Sequence, residues 1–306
     1  MNDNATNEIV DTRADQRGTK RCFADAWKTI VFYRRNYLRG MAPYSLLAGI
    51  GLTLFIYMCG MVARETLLPM HLLVSSGEEA AQVWDFYAPT MVKWVVPLAA
   101  GVLWWVACVL WRAAVMSQTE HYATNGEWPS GAVKLRRDIF GKWRRLLLFD
   151  AMSFVITVLL SAGVLLLLLK ASWWSVVPAL LLALFLLWTI VARYHFAYHR
   201  TSVPKAYVAV VKTEARRLSS VLMLLLITGA VMMPLTLMFA MPYVIPECNA
   251  TYNEMGVIMG DASALPGYFR WAYPLIGILV GSFYYVVRSW QLQVLSLRFL
   301  PCSKQQ

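Results

Sequence analysis

Long uncharged stretches alternate along this chain with short segments crowded with charge. Counting only residues strictly between successive charges, six gaps stand out: 40–63, 94–111, 151–169, 171–192, 218–246 and 271–287. An ionised side chain in a hydrocarbon core costs several kcal/mol unless it is paired or snorkels, so each gap marks a place where the chain can cross a bilayer. A helix of about 20 residues, rising 1.5 Å per residue, spans a core of roughly 30 Å. The two shortest gaps, 94–111 and 271–287, lengthen if Lys93, Arg112 and Arg288 reach towards headgroups. The pattern predicts an all-α, polytopic membrane helix bundle with six transmembrane helices. The spans fall at about 42–63, 93–112, 148–169, 173–192, 218–243 and 271–290.

Between the spans, three segments mix apolar residues at helical spacing with Lys and Arg: 21–39, 134–145 and 204–217. In the first, Phe23, Trp27, Ile30, Val31, Arg34, Tyr37 and Leu38 recur with Lys28, Arg35 and Arg39 beside them. Such segments read as basic amphipathic helices lying in a membrane interface. Pro204 suits the first turn of the third. Residues 1–19 are polar and of mixed charge, which reads as a disordered tail; residues 301–306 form a second short tail. The expected organisation is one six-helix domain over 20–300, read either as three units of interfacial helix plus transmembrane hairpin or as inner loops that gather basic amphipathic stretches under the positive-inside bias alone.

Composition agrees and charge adds a direction. Of 306 residues, 59% are hydrophobic and 15% charged, against a charged share of about 25% in soluble domains. Of the 28 basic residues, 24 fall on one side of the predicted spans; the other side holds only Arg64, Lys93, Lys170 and Arg270. Basic loops stay in the cytoplasm, so both termini are expected there. The net charge of +11 thus reads as a topology signal, and with no basic soluble domain in the chain, nucleic acid is not expected as a partner. No uninterrupted apolar run precedes residue 40, so no cleavable signal is expected and the first span must direct insertion.

Aromatic residues fit the same frame, with Trp94, Trp173, Trp174 and Trp271 at predicted outer ends and Trp111, Trp188 and Trp290 at inner ends. Pro97, Pro178 and Pro274 fall in the first turns of helices entering from outside, where a missing N–H costs little. Pro234 lies well inside the fifth span, where it must kink the helix or draw on a neighbour such as Thr236; a kink there would shape a cleft. Gly277 and Gly281 form a GxxxG that permits close helix packing, with an internal partner expected.

Catalytic chemistry is sparse. No gap holds an ionisable residue, which argues against ion-coupled transport; Asp150 and Lys170 bracket the third span and read as interface residues. His195 and His199 share a helix face, but HFAYH lacks the glutamate of HExxH, so no metal site is expected. Together with Arg193 and Arg200 they read as lipid-headgroup contacts, as do Trp27, Arg34, Arg35, Arg39, Trp143, Arg144 and Arg145. The five cysteines show no CxxC, although a Cys59–Cys248 disulfide is conceivable, and Asn249-Ala250-Thr251 is a glycosylation sequon in an expected outer loop. No P-loop or nucleophile elbow occurs, and no catalytic residue or cofactor is assigned.

The Pro-x-Asp/Glu-x-x-Lys/Arg signature of mitochondrial carriers is missing at Pro43, Pro97, Pro204 and Pro234. The stretch Phe23–Leu38 (FADAWKTIVFYRRNYL), followed directly by a span, resembles the opening of uncharacterised bacterial six-helix membrane families, including the membrane region joined to some glycerophosphodiester phosphodiesterases. The resemblance implies a bacterial inner-membrane protein and carries no catalytic residue across. The expected function is therefore non-enzymatic: organising lipids, anionic ones above all, or protein partners at the inner leaflet. A permease, or permease subunit, for a neutral or amphipathic solute is the alternative.

Overall fold

The computed structural model describes residues 18–129, 132–169, 176–199, 201–210, 218–260 and 265–300. Residues 1–17, Lys170, Trp173, Trp174, Arg200, 211–217 and the 301–306 tail, with the expectations attached to them, lie outside the described residues. In chain order the helices are α1 (Thr19–Phe32), α2 (Arg34–Ser75), α3 (Ala80–Tyr87), a 3₁₀ segment (Ala88–Trp94), α4 (Val95–Asn125), α5 (Ala132–Leu169), α6 (Val176–His199), α7 (Val203–Ala209), α8 (Leu218–Ile258) and α9 (Phe269–Phe299). Among the described residues there is no strand. Six helical stretches are long and apolar enough to cross a membrane, which makes the chain a multi-pass integral membrane protein.

Helix ends and apolar-gap ends do not coincide. α2 begins at Arg34, α5 continues from Ala132 through Arg145 into its apolar stretch, and α8 runs unbroken to Ile258 through Pro234, Pro242 and Pro246. Charged side chains are good helix formers, so charge sets where a helix meets water without stopping it. The first basic segment divides instead at Tyr33, whose backbone leaves helical geometry (φ −108°, ψ 20°) while its N–H donates to Thr29 O at 3.0 Å. Arg34, Arg35 and Arg39 consequently belong to the start of α2, and Trp27 to α1.

The described chain forms two compact units. Of the described residues, those within Met1–Gly40, Arg112–Gly229 and Ser289–Gln306 make up the first, and those within Met41–Trp111 and Ala230–Arg288 the second.

In the first unit α1 turns small side chains inward, with Cys22, Ala26 and Thr29 fully buried and the Phe23 ring 5.8 Å from that of Trp290. Its large residues Trp27, Val31 and Phe32 face outward. α4 stops at Asn125 because Gly126 takes a positive φ (+75°), which a side chain would resist. α7, with Pro204 in its first turn, docks through Tyr207. That ring stacks on Phe149 and Phe185 at 5.5 and 5.9 Å, and its hydroxyl lies 2.9 Å from Ser153 Oγ and 3.1 Å from Thr189 Oγ1. Beyond this anchor, Phe154, Leu159, Leu165, Leu180 and Leu184 on α5 and α6 are exposed, as suits helices bathed in lipid.

In the second unit α2, α8 and α9 meet along a seam of small residues. A Cβ on Gly49 would sit 2.4 Å from the backbone nitrogen of Ser282, and one on Gly277 would sit 2.7 Å from Thr53 Cγ2. Gly281 lies against Gly49 and the Tyr243 hydroxyl. Tyr243 fills the seam, donating to the Gly277 carbonyl while Thr53 Oγ1 lies 3.1 Å from the same hydroxyl. The GxxxG of α9 thus contacts helices of its own chain.

Candidate functional site

Within the first unit a polar cavity of about 860 Å³ opens among α4, α5, α6 and Thr201. α5 supplies most of its wall, because Arg137, Gly141, Arg144 and Arg145 follow one another at helical spacing (i, i+4, i+7, i+8) on one face. Arg137, Lys142, Arg144 and Arg145 face two acids, Glu120 and Asp138, so the walls carry a net positive charge. Two of the cations are already engaged. Lys142 pairs with Glu120 and lies 5.3 Å from the centre of the Tyr198 ring. Arg145 donates through Nη2 to the Phe196 carbonyl at 2.9 Å and covers the Phe196 ring at 4.8 Å. Arg137 and Arg144 are exposed and, among the described residues, make no ion pair. Gly141 leaves the cavity open, since a Cβ there would meet nothing within 4 Å. Two unpaired guanidiniums beside the exposed Phe140 ring offer forked donors to a phosphate, with apolar surface next to it for the start of an acyl chain.

Of the residues singled out from the sequence, Arg144 and Arg145 meet in this cavity. Trp143 is half-buried, with its ring 6.0 Å from Phe140. Arg193 is directed elsewhere, donating through Nε to Asp150 Oδ1 at 2.8 Å, while Arg112 Nη1 donates to Asp150 Oδ2 at 2.6 Å. Asp150 is thus the buried acid of a three-helix cluster, and its side chain is 4% exposed. The His195 and His199 rings are 4.4 Å apart, and among the described residues no group of three His, Cys, Asp or Glu side chains that could hold a metal forms. Trp27, Arg34, Arg35 and Arg39 are exposed on α1 and the first turns of α2. Arg137, Lys142, Glu120 and Tyr198 had not been singled out; the helical spacing of basic residues on α5 was the signal that could have found the first two.

The second unit has two further cavities, of about 550 and 440 Å³, which share Ile56 and Glu247 in their walls. Arg64 of α2 and Glu247 of α8 form a half-buried ion pair there. Glu247 Oε2 is buried without a well-formed hydrogen bond, and the Tyr273 hydroxyl beside it is in the same condition. The smaller cavity is bounded on α8 by residues following Pro234, from Thr236 to Glu247. Thr236 Oγ1 donates to Met232 O at 2.7 Å, its own i−4 carbonyl and not the Ala230 carbonyl that Pro234 leaves without its helical donor. Cys59 and Cys248 are free thiols, and the sequon lies within helix α8. Comparison with family models, with curated proteins and with solved structures finds no match to this chain.

Proposed function

We propose that this integral membrane protein is non-enzymatic and gathers anionic phospholipid at the inner leaflet, taking the headgroup phosphate in the basic cavity of the first unit. One observation carries the reading: Arg137 and Arg144, without ion-pair partners among the described residues, line a cavity of net positive charge beside an exposed aromatic ring. The 24-to-4 distribution of basic residues supports a cytoplasmic location for this face and for both termini, and the resemblance of residues 23–38 supports a bacterial inner membrane. Each Lys or Arg near an anionic surface contributes on the order of 1 kcal/mol, so two free guanidiniums are enough for a preference of about tenfold or more.

The test is lipid retention by the full chain purified in neutral detergent after exposure to mixed phosphatidylglycerol and phosphatidylcholine. Phosphatidylglycerol should be enriched, and the enrichment should fall in Arg137→Gln/Arg144→Gln. Gly141→Leu, which fills the cavity without altering charge, should reduce it similarly. Equal retention of both lipids by the wild-type protein sinks the reading.

A second reading, a permease for a neutral or amphipathic solute, is favoured by the cavities of the second unit, which are walled by membrane-spanning helices, α8 with its Pro234 among them, and hold Arg64, Glu247 and Arg288 in their walls. Solute uptake by proteoliposomes tests it.

A further inference from the structure

The smaller cavity of the second unit is long, aromatic and unevenly charged. Its α8 wall, from Thr236 to Glu247, covers about 16 Å of helix, and the cavity holds about 440 Å³, room for one extended hydrocarbon chain. Trp104, Phe239, Tyr243, Tyr284 and Tyr285 supply the sides. Glu247 at one end is neutralised by Arg64. Arg288 lines the same cavity and, among the described residues, has no carboxylate partner; its guanidinium lies 5.7 Å from the centre of the Tyr284 ring. The Tyr284 hydroxyl in turn lies 3.5 Å from Thr236 Oγ1, which places Arg288 at the end opposite Glu247. Arg288 is exposed at the mouth of this otherwise aromatic and apolar groove, so its guanidinium offers an anion a partner at that end while the walls beyond it offer contact to a hydrocarbon body.

We infer that this cavity binds a single-chain amphiphilic monoanion, its carboxylate held by Arg288 and its chain laid between the aromatic walls towards Glu247. This narrows the permease reading by naming a ligand class, and it holds whether or not the ligand is moved across the membrane.

The experiment is photo-crosslinking of the full chain, in phosphatidylcholine nanodiscs, with a diazirine-bearing palmitate, followed by peptide mapping. Labelling should concentrate on 236–247 and 284–288, be competed by palmitate and not by hexadecanol, fall at least fivefold in Arg288→Gln and return in Arg288→Lys. Ala240→Trp, which intrudes on the cavity without touching charge, should abolish it. Labelling spread along the lipid-facing leucines, equal competition by hexadecanol, or undiminished labelling in Arg288→Gln overturns the inference. Should Arg288→Gln not fold, the hexadecanol competition and Ala240→Trp decide. Failed solute uptake with intact, competable labelling removes the permease reading alone.

Discussion

Arg193 of α6 donates through Nε to Asp150 of α5 at 2.8 Å, and Arg112 of α4 holds the other oxygen of the same carboxylate. One buried acid therefore ties three helices of the first unit together while two cations, each about a fifth exposed, keep contact with the surroundings. Coulombic attraction in such a place is offset by desolvation, so the cluster matters most when it is broken from one side.

Asp150→Asn should accordingly be among the most damaging single changes in the chain. It removes the negative charge that the Arg112 and Arg193 guanidiniums share, and the expected loss is about 3 kcal/mol. Arg193→Gln should cost less, because Arg112 still neutralises the acid, and Asp150→Asn/Arg193→Gln should recover part of the loss. Thermal unfolding in detergent, followed by circular dichroism, orders the three variants. A benign Asp150→Asn would show that the cluster does not hold these helices.

The glycines divide by what a methyl group would strike. Gly49→Ala drives a Cβ against the backbone of Ser282, which cannot swing aside, whereas Gly281→Ala meets the Tyr243 hydroxyl. Overpacking of this kind costs roughly 1–3 kcal/mol, with Gly49→Ala expected at the upper end and Gly281→Ala below it. Gly163, helical with nothing within 4 Å, should gain about 0.5–1 kcal/mol on replacement by Ala. Equal responses at the three sites would remove the seam as the explanation of helix packing in the second unit.

Arg64 and Glu247 lie 183 positions apart in the chain yet pair across α2 and α8. Arg64→Glu and Glu247→Arg should each lower the midpoint of thermal unfolding, and the exchange Arg64→Glu/Glu247→Arg should restore much of it. Because both side chains remain partly exposed, the coupling should be on the order of 1 kcal/mol and shrink as salt is raised. Additive losses in the double variant would mean that the pair carries no coupling.

How much of this was legible in the sequence follows from what each signal measures. Charge spacing measures where the chain can sit in hydrocarbon, and each of the six apolar gaps overlaps, among the described residues, a helix that can cross a membrane. It does not measure where a helix stops, which is why α2, α5 and α8 run past the gaps and why the break at Tyr33, marked by neither Gly nor Pro, is silent. Gly277 and Gly281 were readable as a packing pair since close approach needs no more than a small-residue stripe. Asp150 reads from the sequence as an interface residue, but its pairing is not legible there, because position along one helix says nothing about Arg112 and Arg193 on two others. The aromatic cavity of the second unit was hidden for the same reason, although Pro234 pointed to the helix that walls it.

Orientation has a direct readout. With basic residues gathered on the side of both termini, fusions of an enzymatic reporter at residues 80 and 255 should read as external, and those at 130 and 205 as internal. A cytoplasmic signal at residue 80 would invert the chain and place the basic cavity of the first unit on the wrong leaflet for the proposed function.

α1 gives the sharpest test of contact with the membrane surface. Cys22, Ala26 and Thr29 are buried, whereas Trp27 (63% exposed) and Phe32 (75% exposed) project outward beside Lys20, Arg21 and Lys28. A helix whose largest apolar side chains point away from its own protein gains by inserting them at the headgroup level, each basic neighbour adding on the order of 1 kcal/mol with anionic lipid. A synthetic peptide of residues 19–32 should be unfolded in buffer, become helical on phosphatidylglycerol vesicles and bind more weakly as ionic strength rises, since 14 residues are too few for a stable helix in water. Trp27→Ser/Phe32→Ser should lower both binding and helicity, while Lys20→Gln/Lys28→Gln should lower binding to anionic vesicles and leave the weak binding to neutral ones unchanged. Extending the peptide to residue 39 adds Arg34, Arg35 and Arg39 and should strengthen anionic binding without extending one continuous helix, because the backbone leaves helical geometry at Tyr33. A peptide indifferent to vesicles of either composition would reduce α1 to a packing helix that covers Trp290 and remove one support of the inner-leaflet reading.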